Sequence, residues 1–147
     1  MLDAPVPHMS NVHNLHSAAN LPNGARGHAR PSARVRRVKD AARRGIQDGD
    51  VIRIFNDRGE TLAGVTLSDA VMRGVVHLAT GAWYDPAEPG KIGTLDKHGN
   101  PNVLTIDRGT SQLAQGPIAH TTLVNVERYD ADLPEITAFN GPAAATS

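Results

Sequence analysis

No cysteine occurs anywhere in the 147 residues. Disulfides, zinc–thiolate sites and cysteine nucleophiles are excluded together, and redox usage gives no hint of compartment. Aromatic residues are scarce at 3%, so the core must be built mostly from Val, Ile, Leu and Ala. Basic and acidic residues balance at 15 each, which implies no global attraction to nucleic acid or to an anionic membrane. No apolar stretch approaches the roughly 20 residues that a membrane helix needs. The opening M-L-D-A-P-V-P-H-M has neither a basic start nor an apolar run. No secretory signal is therefore expected, and the cytoplasm is the expected compartment. No internal repeat is visible. The length suits one compact domain with a modest core.

What the chain does have is a long polar run, His98 to Gly116, reading H-G-N-P-N-V-L-T-I-D-R-G-T-S-Q-L-A-Q-G. Asn100, Asn102, Gln112 and Gln115 each bring a carboxamide that both donates and accepts. Thr105, Thr110 and Ser111 add hydroxyls. Gly99, Gly109 and Gly116 let the backbone turn sharply or approach a bound molecule closely. A loop of this length is usually either functional or disordered, and the strand-like Val103–Ile106 inside it argues against disorder. The expectation is a recognition surface for a neutral, hydrogen-bonding ligand; the plain alternative is a polar surface loop.

Residues 1–33 are poor in core-forming side chains and hold four of the seven histidines, His8, His13, His16 and His28. They read as an unstructured leader. The histidine spacing matches no standard metal site. From Arg26 to Arg44 the chain carries eight of its fifteen basic residues against Asp40 alone. That segment is either a phosphate-binding patch or a solvated linker leading to a basic helix face, and the second is preferred. No aromatic is interleaved for base stacking, which weakens a single-stranded nucleic-acid reading.

Val38–Arg44 reads as a short helix, with Gly45 as its left-handed cap and Ile46 folding back to close it. Asp50–Phe55 and Glu60–Leu67 read as strands joined by the turn Asn56-Asp57-Arg58-Gly59, a hairpin. Val75–Leu78 is a further strand. Thr80–Gly93 breaks all periodicity and carries the single Trp, Trp83, followed by Tyr84. This aromatic pair either walls a ligand pocket or plugs the mouth of a barrel. His120–Glu127 is a last strand, in which Leu123 falls out of the Thr122–Val124–Val126 alternation, so both faces are expected to be partly buried. The sum is a mainly β domain of about five or six short strands with one or two short helices. Closure into a barrel would remove its sheet edges.

Four stretches in this order carry a specific resemblance: N-L-H-S (14–17), D-A-A-R-R-G-I-Q-D-G-D-V-I-R-I-F-N-D-R-G (40–59), G-V-V-H-L-A-T-G-A-W-Y-D-P (74–86) and the polar run itself. Together the chain resembles the C-terminal molybdopterin-dinucleotide-binding domain of the dimethyl sulfoxide reductase family of molybdenum enzymes. Within that family it is most similar to biotin sulfoxide, trimethylamine N-oxide and dimethyl sulfoxide reductases. The resemblance covers roughly residues 8–139, leaving 1–7 and 140–147 as expected flexible ends.

The resemblance implies a double-psi β-barrel. It also implies a ligand, the bis(molybdopterin guanine dinucleotide) molybdenum cofactor. By position it assigns cofactor contacts to His16 and Ser17, to the preceding segment containing Ser10 and Asn14, and to Trp83, Asn102 and His120, with Gln115 a weaker assignment. Asn14 stands where the family usually has Arg, so one ionic contact is missing. The family's large upstream domains, which hold the protein ligand to molybdenum, are not in this chain. The resemblance thus implies no catalysis by the chain alone, no protein metal ligand here, and a large catalytic domain or subunit as partner; related full-length enzymes can be periplasmic. The competing expectation is a stand-alone barrel that has lost the cofactor and binds protein or nucleic acid through Arg26–Arg44. Ser111 and His77 could be imagined as nucleophile and base, but nothing in the sequence brings them together.

Overall fold

The structure, a computed structural model, describes residues 8–10, 32–36, 41–113 and 121–140, the first two stretches and Thr121 by backbone alone. Of the expected flexible ends, 1–7 and 140–147, all but Asn140 lie outside the described residues.

Eight strands and two 3-10 turns account for the regular structure among the described residues. The strands are β1 (His8–Ser10), β2 (Ser32–Arg36), β3 (Val51–Phe55), β4 (Glu60–Ser68), β5 (Val75–Leu78), β6 (Leu95–Asp96), β7 (Thr121–Leu123) and β8 (Asn125–Arg128). The expectation of a mainly β domain is met. Of the helix expected over Val38–Arg44, the described part is the 3-10 turn Ala42–Arg44, and a second 3-10 turn, Pro101–Leu104, was not expected.

The predicted hairpin is present. In β3, Ile52 and Ile54 alternate inward and are fully buried. They face the core beside Ala63 and Val65 of β4, in the antiparallel register Ile52↔Ala63 and Ile54↔Thr61. Each such aliphatic side chain contributes about 1.5–3 kcal/mol on burial. On the outer face, Arg53 bonds Glu60 of β4 and Glu127 of β8, and its guanidinium lies 4.4 Å from the Phe55 ring centre. The turn ahead of β3 closes as read. Gly45 is left-handed at φ 65°, its N–H donates to Ala42 O, and the Ile46 N–H donates to Ala41 O at 3.0 Å. That pair of bonds, with Ile46 buried, is a Schellman cap.

The strand order is β7-β1-β5-β2-β4-β3-β8, with β6 added to the start of β4. The parallel pairs are β1 with β5, β2 with β4 and β4 with β6; the remaining pairs are antiparallel. The two end strands of the order, β7 and β8, are one continuous run with only Val124 between them. The ladder therefore begins and ends on the same stretch of chain.

Three expectations are corrected. Ser32–Arg36, expected as part of a solvated linker, is a strand inside the ladder, hydrogen-bonded to β4 on one side and β5 on the other. Val103–Ile106 is not strand-like: Pro101–Leu104 forms a 3-10 turn, because Asn100 caps it by accepting from the Asn102 N–H at 2.9 Å and Pro101 presets the first φ. Leu123 is 59% exposed while Thr122, Val124 and Val126 are buried, so the last run buries one face only.

Candidate functional site

The register places the candidate ligand segments. β1 runs parallel to β5 and antiparallel to β7, so Ser10 lies beside both His77 and Thr121. The chain leaves β1 at Ser10, leaves β5 just past His77 and enters β7 at Thr121, all at neighbouring positions of the sheet. Those three points lead, along the sequence, to Asn14, His16 and Ser17, to Trp83, and to His120. Asn14, His16, Ser17, Gln115 and His120 lie outside the described residues, and Ser10 is described by its backbone.

The polar run joins the same edge through Leu104. Its carbonyl accepts from the Thr122 hydroxyl, from Asn56 Nδ2 at 2.9 Å and from Arg58 Nε at 2.9 Å. Arg58 also donates to Thr122 Oγ1 at 2.8 Å, and Asn56 Nδ2 reaches the Leu123 carbonyl at 3.2 Å. The β3–β4 turn thus clamps the polar run onto β7, with Thr122 opposite Met9 of β1. Thr105 closes the 3-10 turn by donating from its N–H and its hydroxyl to the Asn102 carbonyl. The Asn102 carboxamide makes no hydrogen bond to another described residue and is exposed.

One buried acid holds both described candidate loops. Asp96 is 0% exposed. Its Oδ2 accepts from Thr61 Oγ1 at 2.6 Å, Gly99 N at 2.8 Å and Asn100 N at 2.6 Å. Its Oδ1 accepts from Asp85 N at 2.8 Å. A carboxylate only accepts, which suits four converging donors. The loop with Trp83 and the loop with Asn102 are therefore fixed to a single side chain. The Trp83 indole is 68% exposed, so it does not plug a barrel mouth; its carbonyl accepts from His98 Nδ1 at 3.2 Å.

A second acid, Asp85, is 4% exposed. Thr137 donates to it from hydroxyl and backbone, both at 2.6 Å, and Lys97 Nζ lies 3.2 Å from Oδ1. Burial pushes the Asp85 carboxyl up, but the two Thr137 bonds and the Lys97 ammonium outweigh it and hold the carboxyl below the usual carboxylate range. A depressed folded value means stability present above the unfolded value, about 3.9, and lost as pH falls through the folded one. Asp85→Asn is expected to lower stability by about 1–3 kcal/mol at pH 7. The gap to wild type should narrow as pH drops below about 4. Urea titrations of both proteins from pH 7 to pH 3 check this; a constant gap would count against it.

Sequence reasoning singled out Trp83 and Asn102 as candidates and passed over the side chains that hold their loops: Asn56, Arg58, Asp85, Asp96 and Thr137. Only Asp96 left a local signal, an acid three and four residues ahead of Gly99 and Asn100, the spacing at which its side chain can take up their N–H groups. Ser111 is exposed, and nothing places it with His77. Among the described residues no group of three or more acids or histidines is placed to hold a metal. No helix there is long and apolar enough to cross a membrane.

Comparison with known proteins gives the chain its family. Residues 9–123 match the family model described as Molydopterin dinucleotide binding domain. The trimethylamine-N-oxide reductase of Salmonella typhi is 55% identical over 105 residues, 71% of this chain and 12% of that protein. A dimethyl sulfoxide/trimethylamine N-oxide reductase of Cereibacter sphaeroides is 53% identical over 106 residues, 72% of this chain and 13% of that protein. Trimethylamine-N-oxide reductase 1 of Escherichia coli K12 is 58% identical over 99 residues, 67% and 12% respectively. The chain thus spans about 12% of the length of such relatives. It belongs to the molybdopterin dinucleotide-binding domain family, and molybdopterin guanine dinucleotide is the cofactor that this domain takes.

Proposed function

We propose that this domain is the cofactor-closing part of a molybdenum oxidoreductase that reduces S-oxides or N-oxides, working with a large catalytic domain or subunit. We infer that the domain is a double-psi β-barrel. Its contacts to the dinucleotide come from Ser10, Asn14, His16, Ser17, Trp83, Asn102, Gln115 and His120. The observation that carries the reading is the shared edge: Ser10, the chain end of β5 and the start of β7 are register neighbours. The ladder whose two ends fall on the one run 121–128 supports the barrel.

The residues fit the group. Pterin and guanine rings carry fixed rows of donors and acceptors, and the exposed Asn102 carboxamide offers both kinds of partner. An indole as exposed as Trp83 offers a flat face for a heterocycle. When bound, the metal and its dithiolenes supply the redox chemistry, while the protein binds and orients. A polar group matched to the ligand discriminates because the wrong ligand leaves it unpaired.

Purified chain mixed with isolated molybdopterin guanine dinucleotide should quench or shift the ligand's fluorescence, alone or with the large domain of a relative supplied in trans. Asn102→Ala is expected to weaken that binding by about fivefold, the equivalent of one ordinary hydrogen bond, with an unchanged urea midpoint. Absence of binding in both arrangements would sink the proposal. The reading through Arg26–Arg44 as an interaction surface is not favoured, since Ser32–Arg36 is committed to the sheet.

A further inference from the structure

After β8 the chain does not trail away. Tyr129 N–H donates to Val51 O at 2.9 Å, and an irregular strap then runs to Asn140. The strap lies beyond residue 123, where the family match ends. It is fastened at two places, both next to a ligand loop. Thr137 Oγ1 donates to Asp85 Oδ1 and accepts from Lys97 Nζ at 2.8 Å, while its N–H donates to Asp85 Oδ2. Two residues on, the Phe139 ring stands edge-on to His98, with centroids 5.1 Å apart at 85°. Asp85 is two residues from Trp83, and His98 Nδ1 meets the Trp83 carbonyl. The Asn140 N–H donates to the Thr137 carbonyl at 2.9 Å, which holds the end of the strap in a turn.

We propose that this strap is a positioning element of the cofactor site, with Thr137 as its clasp: the Asp85–Thr137–Lys97 cluster and the Phe139–His98 contact set where Trp83 is presented to the dinucleotide. The proposal rests on the cofactor reading above. The physical reason is that Trp83 sits in a Gly/Pro-bounded loop with no strand of its own: a backbone bond from the Lys97 N–H to Asp85 O at 2.8 Å fastens its base, and the rest of its hold comes from side-chain bonds. Those bonds come from Asp96 on one side and from the strap on the other. An exposed ring can bind a flat ligand well only if its loop is already ordered, because ordering it on binding costs affinity. The Thr137 hydroxyl serves as donor and acceptor at once, a pairing that Val cannot reproduce and Ser can.

The test uses the whole chain with Thr137→Val and Thr137→Ser. Trp83 is the single tryptophan, so its fluorescence reports on the loop without any ligand. Thr137→Val should lower Trp83 anisotropy, raise its quenching by acrylamide and weaken binding of molybdopterin guanine dinucleotide by about fivefold. Thr137→Ser should restore all three, with the urea midpoint of the sheet little changed. If Thr137→Val melts the domain, Phe139→Leu, which leaves the Asp85 bonds intact, carries the same readouts. Wild-type values of anisotropy and quenching in Thr137→Val, or in Phe139→Leu where that variant stands in, overturn the proposal. So does an equal change in Thr137→Ser. Failure of wild-type chain to bind the cofactor would instead strike the function reading, while the tryptophan signals still decide on the clasp.

Discussion

Asp96→Ala is expected to lower the stability of the domain by about 4 kcal/mol, enough to remove much of the stability of an ordinary small domain. The substitution deletes four hydrogen bonds at once and leaves Thr61 Oγ1 and the N–H groups of Asp85, Gly99 and Asn100 without their acceptor. Hydrogen bonds to a charged group are worth about 1.5–3 kcal/mol each, and a donor left buried and unpaired costs a further penalty. The four do not add, since they share one side chain, so the sum is capped well below four times the single value. Asp96→Asn is the informative partner. Its one amide oxygen can face the three donors at the Oδ2 position, but its NH2 then meets the Asp85 N–H, donor against donor. A loss of about 2 kcal/mol is expected there. Urea unfolding of the three proteins gives the comparison, and an alanine variant within 1 kcal/mol of wild type, against this order-of-magnitude expectation, would refute the account. Cofactor binding should fall with stability, because Asp96 fixes the Trp83 loop and the Asn102 loop together.

The same residue shows where sequence reading stops. Asp96-Lys97-His98-Gly99-Asn100 reads as a solvated polar turn, and an acid in such a turn is ordinarily exposed. Burial comes from Thr61, 35 residues earlier, and from Asp85, neither of which announces itself. By contrast Val51–Phe55 and Val75–Leu78 were legible because each carries its own alternation of buried and outward side chains, and Glu60–Ser68 because the turn Asn56–Gly59 ahead of it marks a hairpin, although Thr61, Leu62 and Ala63 are buried in succession. The Gly45 cap was legible for a similar reason: its geometry is local. His8–Ser10 and Ser32–Arg36 were not, being short and holding only one larger apolar side chain each, Met9 and Val35. They are strands because neighbours on both sides supply hydrogen-bond partners, and that pairing is a property of the whole ladder. In the polar run, V-L-T-I suggested a strand, but the Asn100–Pro101 pair ahead of it imposed a capped turn instead. Of the site, the side chains that would touch a ligand were readable as polar or aromatic loop residues; those that hold the loops still were readable only once Thr61, Asp85 and Thr137 had been brought to their partners by the fold.

Gly59→Ala should cost about 2–3 kcal/mol and abolish cofactor binding, although it adds a single methyl group. A Cβ at this position would lie 2.6 Å from the Val103 carbonyl oxygen and 3.4 Å from the Val103 carbonyl carbon and Cβ. The contact is with backbone, so no side-chain rotation relieves it. Nor can the 3-10 turn Pro101–Leu104 retreat easily. The Leu104 carbonyl is held by Asn56, Arg58 and Thr122, and Leu104 itself is fully buried. Relief must therefore come from prising the β3–β4 turn off the polar run, which moves Asn102 and loosens the Leu104 clamp together. Gly90→Ala separates this from ordinary glycine effects. Gly90 is left-handed at φ 84° with open space around it, so alanine there costs about 1 kcal/mol of backbone strain and meets nothing. The expected pattern is a modest stability loss with normal cofactor binding for Gly90→Ala, and a larger loss with no binding for Gly59→Ala. Equal urea midpoints for the two variants would mean that the Val103 contact is relieved at no cost, and that the β3–β4 turn does not set the position of the ligand loop.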